Sequence, residues 1–393
     1  MQKRIHIPLL VRVVIAILAG VALGNLATET VVRIFLTFNG IFSQFLGFMI
    51  PFIIIGLVTP AIADIGHGAG KLLLWTVGLA LADTILAGLV AYGVGSEWFP
   101  AMVERSGQIA IDRRDALKPF FEIKIPAAID VMSALVLSFL VGMGIAYRQS
   151  VHLGRICNEF KDIVSLTISK VIIPLLPLYI FGIFLNMTFT GEAYHIMQVF
   201  AKIIVVILAL HIFILVYEFL IAGCIARKNP LRLLANMLPA YFTALGTSSS
   251  AATIPVTLRQ TLKNHVSDKV AGFTIPLCAT IHLSGSMMKI TCCALTICLL
   301  NGQQHDLPLF LHFIFILSIC MVAAPGVPGG AIMAALAPLS AVLGFNADME
   351  ALMIALYIAM DSFGTACNVT GDGAIAVIVD RIFKKGSSEL PMS

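Results

Sequence analysis

Four polar residues near the C-terminus, Asp361, Thr365, Asn368 and Asp372, stand inside an apolar stretch of about 30 residues, long enough to cross a bilayer. Their spacing brings them within about 60° of arc on a helix of 3.6 residues per turn. An ionised Asp at the centre of a bilayer costs ~2.5–3.5 kcal/mol on an insertion scale, so two on one stripe are a burden that stability does not explain. Two carboxylates, an amide and a hydroxyl on one inward face are the groups that binding a cation or an ammonium requires inside a membrane. Interhelical polar contact is the blander reading, but hydroxyls and amides serve that purpose without charge.

The elements that position such a stripe must be membrane helices. Of 393 residues, 59% are hydrophobic and 12% charged, and the mean hydropathy is +0.98. Soluble domains run near ~25% charged, so the chain reads as an all-α polytopic membrane protein. The net charge of +4 is too small to point to nucleic acid. The eight cysteines nearly all lie in apolar runs with no Cys-x-x-Cys pairing and read as small buried hydrophobes. The positively charged N-terminus before an apolar run reads as the start of a first span rather than a leader.

Apolar segments predict spans near 8–27, 31–62, 69–96, 126–148, 157–187, 196–225, 268–300 and 349–380. Lys and Arg gather at Lys3 and Arg4, at 148–170, at 227–232, at 259–269 and at 381–385, whereas the connections carrying Glu192, Asp306, Asp348 and Glu350 have none. The positive-inside rule then puts both termini in the cytoplasm, in a bacterial inner membrane. Two regions, 231–262 and 308–345, each hold two short apolar arms around a small-residue tip. The tips are Gly246-Thr247-Ser248-Ser249-Ser250 and Pro325-Gly326-Val327-Pro328-Gly329-Gly330. No arm reaches the ~20 residues needed to cross, so both regions are expected to be re-entrant hairpins. Each precedes a long helix expected to break in its middle, at His282-Leu283-Ser284-Gly285-Ser286 and at Asn368-Val369-Thr370-Gly371-Asp372. Two such units of opposite orientation form an inverted repeat, the arrangement that builds midplane sites in secondary transporters.

Over essentially its whole length the pattern resembles the dicarboxylate/amino acid:cation symporters, the glutamate transporter family. The serine-rich first tip followed by Ala252-Thr253-Ile254-Pro255-Val256-Thr257, the Gly326-Val327-Pro328-Gly329 second tip and Asn368-Val369-Thr370-Gly371-Asp372 carry the resemblance together. It implies eight transmembrane helices, two hairpins, a homotrimer and an elevator motion. The six spans of 1–225 would include the static scaffold, and 226–393 would be the transport core. It also implies that Asp361 holds a substrate ammonium, and that Thr365 and Asn368 contact the amine and carboxylate. Ser249, Ser250, Gly326 and Val327 would close over the substrate. One sodium would lie on Asp372 with the carbonyls of Asn368, Cys278 and His282, and a second on the carbonyls of Met321, Val322 and Ala324 with Thr280. Sodium would be a co-transported ligand, and no cofactor is expected.

Departures from the family pattern are equally informative. Where the family usually has Asn-Met-Asp-Gly-Thr this chain has His282-Leu283-Ser284-Gly285-Ser286, and Leu79 and Ala80 replace the hydroxyls of the third span. A hard cation needs several oxygen ligands, so a third, deep sodium is not expected and one or two are. Gly364 replaces the arginine that pairs acidic side chains, which removes the guanidinium fork and favours a neutral over an acidic amino acid. A C4-dicarboxylate or acidic amino acid, with sodium or proton coupling, remains the alternative. His282 reads equally as a satisfied interior histidine or a proton-titrating group. Glu218 is expected to snorkel to the interface, and Asp64 and Asp130 to serve span ends. Lys289 is expected to pair with Asp83, with snorkelling to the outer interface and substrate contact as the alternatives. An intramembrane protease is a remote alternative, since Gly371-Asp372 and Ser284-Gly285 match only half of each protease motif; a channel is another.

Overall fold

The structure is a computed structural model, and it describes residues 9–66, 71–104, 117–191, 193–322, 324, 326 and 328–388. Lys3, Arg4, Glu192, Pro325 and Val327 lie outside the described residues, as do the side chains of Asp64, Lys384 and Lys385. Among the described residues the regular structure is entirely helical: α1 (Leu9–Gly24), α2 (Glu29–Gly66), α3 (Lys71–Glu104), α4 (Val131–Arg148), α5 (Val151–Thr167), α6 (Ile173–Phe189), α7 (Ala193–Ala226), α8 (Pro230–Thr247), α9 (Ser250–Lys263), α10 (Asp268–Ile281), α11 (Ser284–Leu300), α12 (Leu307–Met321), α13 (Gly330–Ala341), α14 (Ala347–Ala359) and α15 (Asp361–Ser388). A π-helical turn, Ile168–Ile172, joins α5 to α6.

Polar residues start many of these helices because the first turn leaves backbone N–H groups without partners. Asp130 accepts from the Ser133 N–H at 2.9 Å and also holds the Ser133 hydroxyl, so it caps α4 as expected of a span-end carboxylate. Asn229, Ser249, Asp306 and Asn346 cap α8, α9, α12 and α14 in the same way.

Among the described residues, six stretches are long and apolar enough to cross a membrane: Glu29–Ala63, Lys71–Glu104, Val151–Phe189, Ile196–Ala226, Asp268–Leu300 and Asp361–Phe383. The expected first and fourth spans are shorter apolar helices, Val11–Gly24 and Val136–Arg148. The two expected hairpins are helix pairs, α8 with α9 and α12 with α13, whose arms pack on each other.

The first broken helix parts at His282 and Leu283, as its sequence predicts. The second breaks at Met360, between α14 and α15, and 368–372 is continuous helix. Gly371, in the segment expected to break, and the neighbouring Gly373 serve close packing instead. A Cβ on Gly371 would collide with the Glu218 carboxylate, and one on Gly373 would come within 2.7 Å of the Met237 methyl. A glycine that admits a neighbour costs a helix only ~1 kcal/mol relative to Ala.

Packing divides the helices in an order the chain does not follow. α1 packs on α6, and α2 on α4, α5 and α6; α3 and α7 instead pack with α8, α10, α11 and α15. Every residue from Ile281 to Cys298 is buried, and so is α15 through Asp380 apart from Phe363. Helices buried on all sides present their polar groups to protein rather than lipid.

Candidate functional site

The break in the first interrupted helix delivers His282 to a group of carboxylates. Its Nδ1 lies 3.0 Å from Asp372 Oδ1, and its Nε2 lies 2.9 Å from Asp83 Oδ2 and 4.0 Å from Glu218 Oε1. These groups come from α10–α11, α15, α3 and α7, so one imidazole ties four elements together. The Leu283 N–H adds a bond to the Thr84 hydroxyl at 3.3 Å. Ser284 Oγ donates to Glu218 Oε1 at 2.9 Å, while Glu218 Oε2 and Asp372 Oδ2 are buried without a hydrogen-bond partner. Three carboxylates thus surround one imidazole, and orphaned carboxylate oxygens in the interior call for a proton or a cation.

At the other end of the stripe, Asp361 opens α15. Its Oδ2 accepts the Gly329 N–H at 2.8 Å, and its Oδ1 lies 3.4 Å from Lys289 Nζ. Gly329 has φ +76°, a left-handed conformation open to glycine at little cost, and that turn aims its N–H at the carboxylate. Lys289 is fully buried. Its ammonium also donates to the Met360 carbonyl at 3.3 Å and sits 3.6 Å from the centroid of the Tyr357 ring. The expected Lys289–Asp83 pair is therefore not formed: Asp83 is taken by His282, and Lys289 extends along α11 to the start of α15. Nor is Gly364 an empty place, since a Cβ there would lie 2.6 Å from Lys289 Cε and 2.7 Å from Nζ.

The two tips meet. Ser249 Oγ donates to the Gly326 carbonyl at 2.8 Å, and the Ala251 N–H reaches the same oxygen at 3.4 Å. Ser248 Oγ is 2.7 Å from Ser362 Oγ, which ties the first tip to the start of α15. Ser250, in the first turn of α9, is buried. The N-termini of α9, α13 and α15 are thereby brought to one neighbourhood, and helix N-termini favour anions.

Asn368 sits midway along the stripe, with its side chain committed to the break. Its Oδ1 accepts the N–H groups of Gly285 and Ser286 at 2.9 and 3.2 Å, and its Nδ2 donates to Ser286 Oγ at 3.0 Å. Thr365 Oγ1 donates to the Asp361 carbonyl at 2.9 Å. Of the residues implied for the two sodium sites, the Cys278 carbonyl accepts the His282 N–H at 2.9 Å, and the Met321 carbonyl accepts that of Ala324 at 3.0 Å. Thr280 Oγ1 donates to the Leu277 carbonyl at 2.9 Å, and Val322 follows α12 directly. Each carbonyl keeps a second lone pair.

Two residues were read differently from the sequence or not at all. Glu218 does not snorkel: it is buried among Ser284, His282 and Gly371 in the middle of the molecule. His211, one face-repeat before Glu218 on α7, donates from Nε2 to the Gly285 carbonyl at 3.0 Å. The signal was present, because residues seven apart share a helix face and both are polar in an apolar span.

The model of the sodium:dicarboxylate symporter family matches residues 9–382. The chain belongs to that family. Two curated relatives, each named serine/threonine transporter SstT, come from Acinetobacter baumannii strains AYE and AB307-0294. Each is 28% identical over 393 residues, covering 95% of this chain and 97% of the relative. The family resemblance is thus shown, and the family is described as symporters and these relatives as transporters.

Proposed function

We propose that the protein is a cation-coupled symporter of a small carboxylate-bearing solute, bound where the two tips meet the start of α15. One observation carries this reading: Ser249, Ala251, Gly326, Gly329, Ser362 and Asp361 join three helix N-termini around buried, charged groups. A solute carboxylate is the ligand that such an arrangement favours. The coupling cation is sodium, a co-transported ligand held near Asp372, whose unpartnered oxygen is the feature that supports it. Met321, Val322 and Ala324 with Thr280 would provide the second site.

Contact between the tips, which a solute must part to enter or leave, supports their assignment as gates. Packing of α3 and α7 with the hairpins supports a moving part that excludes α1, α2 and α4–α6. We assign the protein to a bacterial inner membrane, with eight spans, two re-entrant hairpins, both termini cytoplasmic and a homotrimeric assembly. Serine and threonine, from the names of the relatives, are the first solutes to test. A second reading, an amine-free carboxylate such as a C4-dicarboxylate, is favoured by the Lys289–Asp361 contact.

The test is uptake of serine, threonine, aspartate and succinate into proteoliposomes under imposed sodium, proton or choline gradients. Saturable accumulation that follows a cation gradient is expected. Passive, non-saturable flux that ignores every gradient would make the protein a channel and overturn the reading.

A further inference from the structure

The Asp361 carboxylate, the group that would take up a substrate ammonium, already holds an ammonium belonging to the chain itself. Lys289 Nζ lies 3.4 Å from Oδ1, and the Gly329 N–H occupies Oδ2 at 2.8 Å. The surroundings are built for that ammonium. Tyr357 turns its ring face to Nζ at 3.6 Å, and the Met360 carbonyl, which also accepts the Phe363 and Gly364 N–H groups at the start of α15, accepts from it at 3.3 Å. Gly364, on the turn of α15 after Asp361, supplies the room, because a Cβ there would strike both Cε and Nζ. The lysine carbon chain is buried along α11 and its head is not exposed to solvent, so snorkelling does not explain its direction.

We infer that Lys289 is a tethered replacement for the substrate's amino group, so that this transporter selects small carboxylates that lack one. The inference rests on the symporter reading and deepens it. An incoming amino acid would meet a neutral Lys289–Asp361 pair. Its ammonium would have to displace a partner that is covalently held at high effective concentration, or be buried unpaired, and either is unfavourable. An amine-free carboxylate has no such requirement. Its anionic end can use the helix N-termini at the tips, and its 2-position can carry a hydroxyl or hydrogen. Lys289 and Gly364 are then specificity-determining residues that act together: the lysine fills the amine place and the glycine makes space for the lysine.

Matched solutes differing only at the amine test this on the full-length protein in sodium. L-serine is paired with glycerate and L-aspartate with malate, and binding is read by thermal shift and by competition for uptake. The wild type is expected to prefer the amine-free member of each pair by about tenfold or more, equivalent to about 1.4 kcal/mol. In Lys289→Met the freed Asp361 carboxylate is expected to reverse that order. Propylammonium should also raise the melting temperature of Lys289→Met while leaving the wild type unchanged. Should Lys289→Met fail to fold, Lys289→Met/Asp361→Asn removes both charges at once and is expected to fold and lose the preference in either direction. A wild type that binds serine over glycerate and aspartate over malate overturns the inference and leaves the symporter intact. No response to any of the four solutes, by shift or by competition, overturns the symporter reading together with the inference.

Discussion

Replacing His282 with Leu keeps a similar volume and removes the imidazole that lies against Asp83, Glu218 and Asp372. At an effective dielectric constant of about 20, an imidazolium attracts a carboxylate by roughly 5–6 kcal/mol at the 2.9 and 3.0 Å separations and by roughly 4 kcal/mol at 4.0 Å. Mutual repulsion of the carboxylates and the desolvation of all four groups offset most of that sum, and removal of one partner from a buried ion pair costs ~3–5 kcal/mol net. With an unfolding entropy of ~2.1 cal/mol/K per residue, a chain of this length loses about 4–6 °C in Tm for that change. The assay is thermal unfolding of the detergent-purified protein, titrated with NaCl against choline chloride. His282→Leu is expected to melt about 4–6 °C lower in choline. It should then gain more from sodium than the wild type does, because a bound cation replaces the lost charge. Asp83→Asn, whose amide oxygen still accepts from Nε2, should lose only about 1 kcal/mol. A Leu variant with wild-type Tm and wild-type sodium dependence would refute the reasoning, since the carboxylates would then not need the imidazole.

Three further outcomes follow from the same geometry. Asn368→Ala should destabilise the protein by roughly 1–3 kcal/mol, because the Gly285 and Ser286 N–H groups lose a buried acceptor at the start of α11; equal melting of variant and wild type would contradict it. Ser249→Ala removes the cap of α9 and the side-chain bond between the tips, and loss of the latter, worth ~1 kcal/mol, should raise the open population about fivefold. Maleimide labelling of Ser250→Cys, buried at the first tip, in a Cys157→Ser/Cys224→Ser background measures this, and an unchanged rate would mean the bond does not hold the tips. Gly371→Ala places a methyl against Glu218 and His282 and should cost ~1–3 kcal/mol of stability by overpacking, a loss visible as a lower Tm; a neutral Ala would show that the close approach is not real.

Periodicity and hydropathy identified the class, the short arms and the α15 stripe because each depends on residues near one another in the chain. An apolar stretch with Asp361, Thr365, Asn368 and Asp372 on one face is a local property of helix geometry, and those residues are buried in the structure as the stripe implies. The break at His282–Leu283 was legible for the same reason. The second break, at Met360, was not: the expected place, Asn368–Asp372, is continuous helix. Gly371 and Gly373 permit a break and permit close packing equally, and only Glu218 and Met237, from distant α7 and α8, decide between the two.

Partner choice among buried charges belonged wholly to the tertiary structure. Sequence named Lys289, Asp83, His282 and Asp361 as polar groups out of place in hydrocarbon, since the cost of burying a charge is set by residue type. It could not say which cation meets which anion, because an ion pair depends on a few ångströms between helices far apart in the chain. Asp83 went to His282 and Lys289 to Asp361, reversing the expected pair. Glu218 lies inward for the same physical reason: the packing of α7 against the break, which the local sequence does not specify, sets its carboxylate against Ser284 and His282.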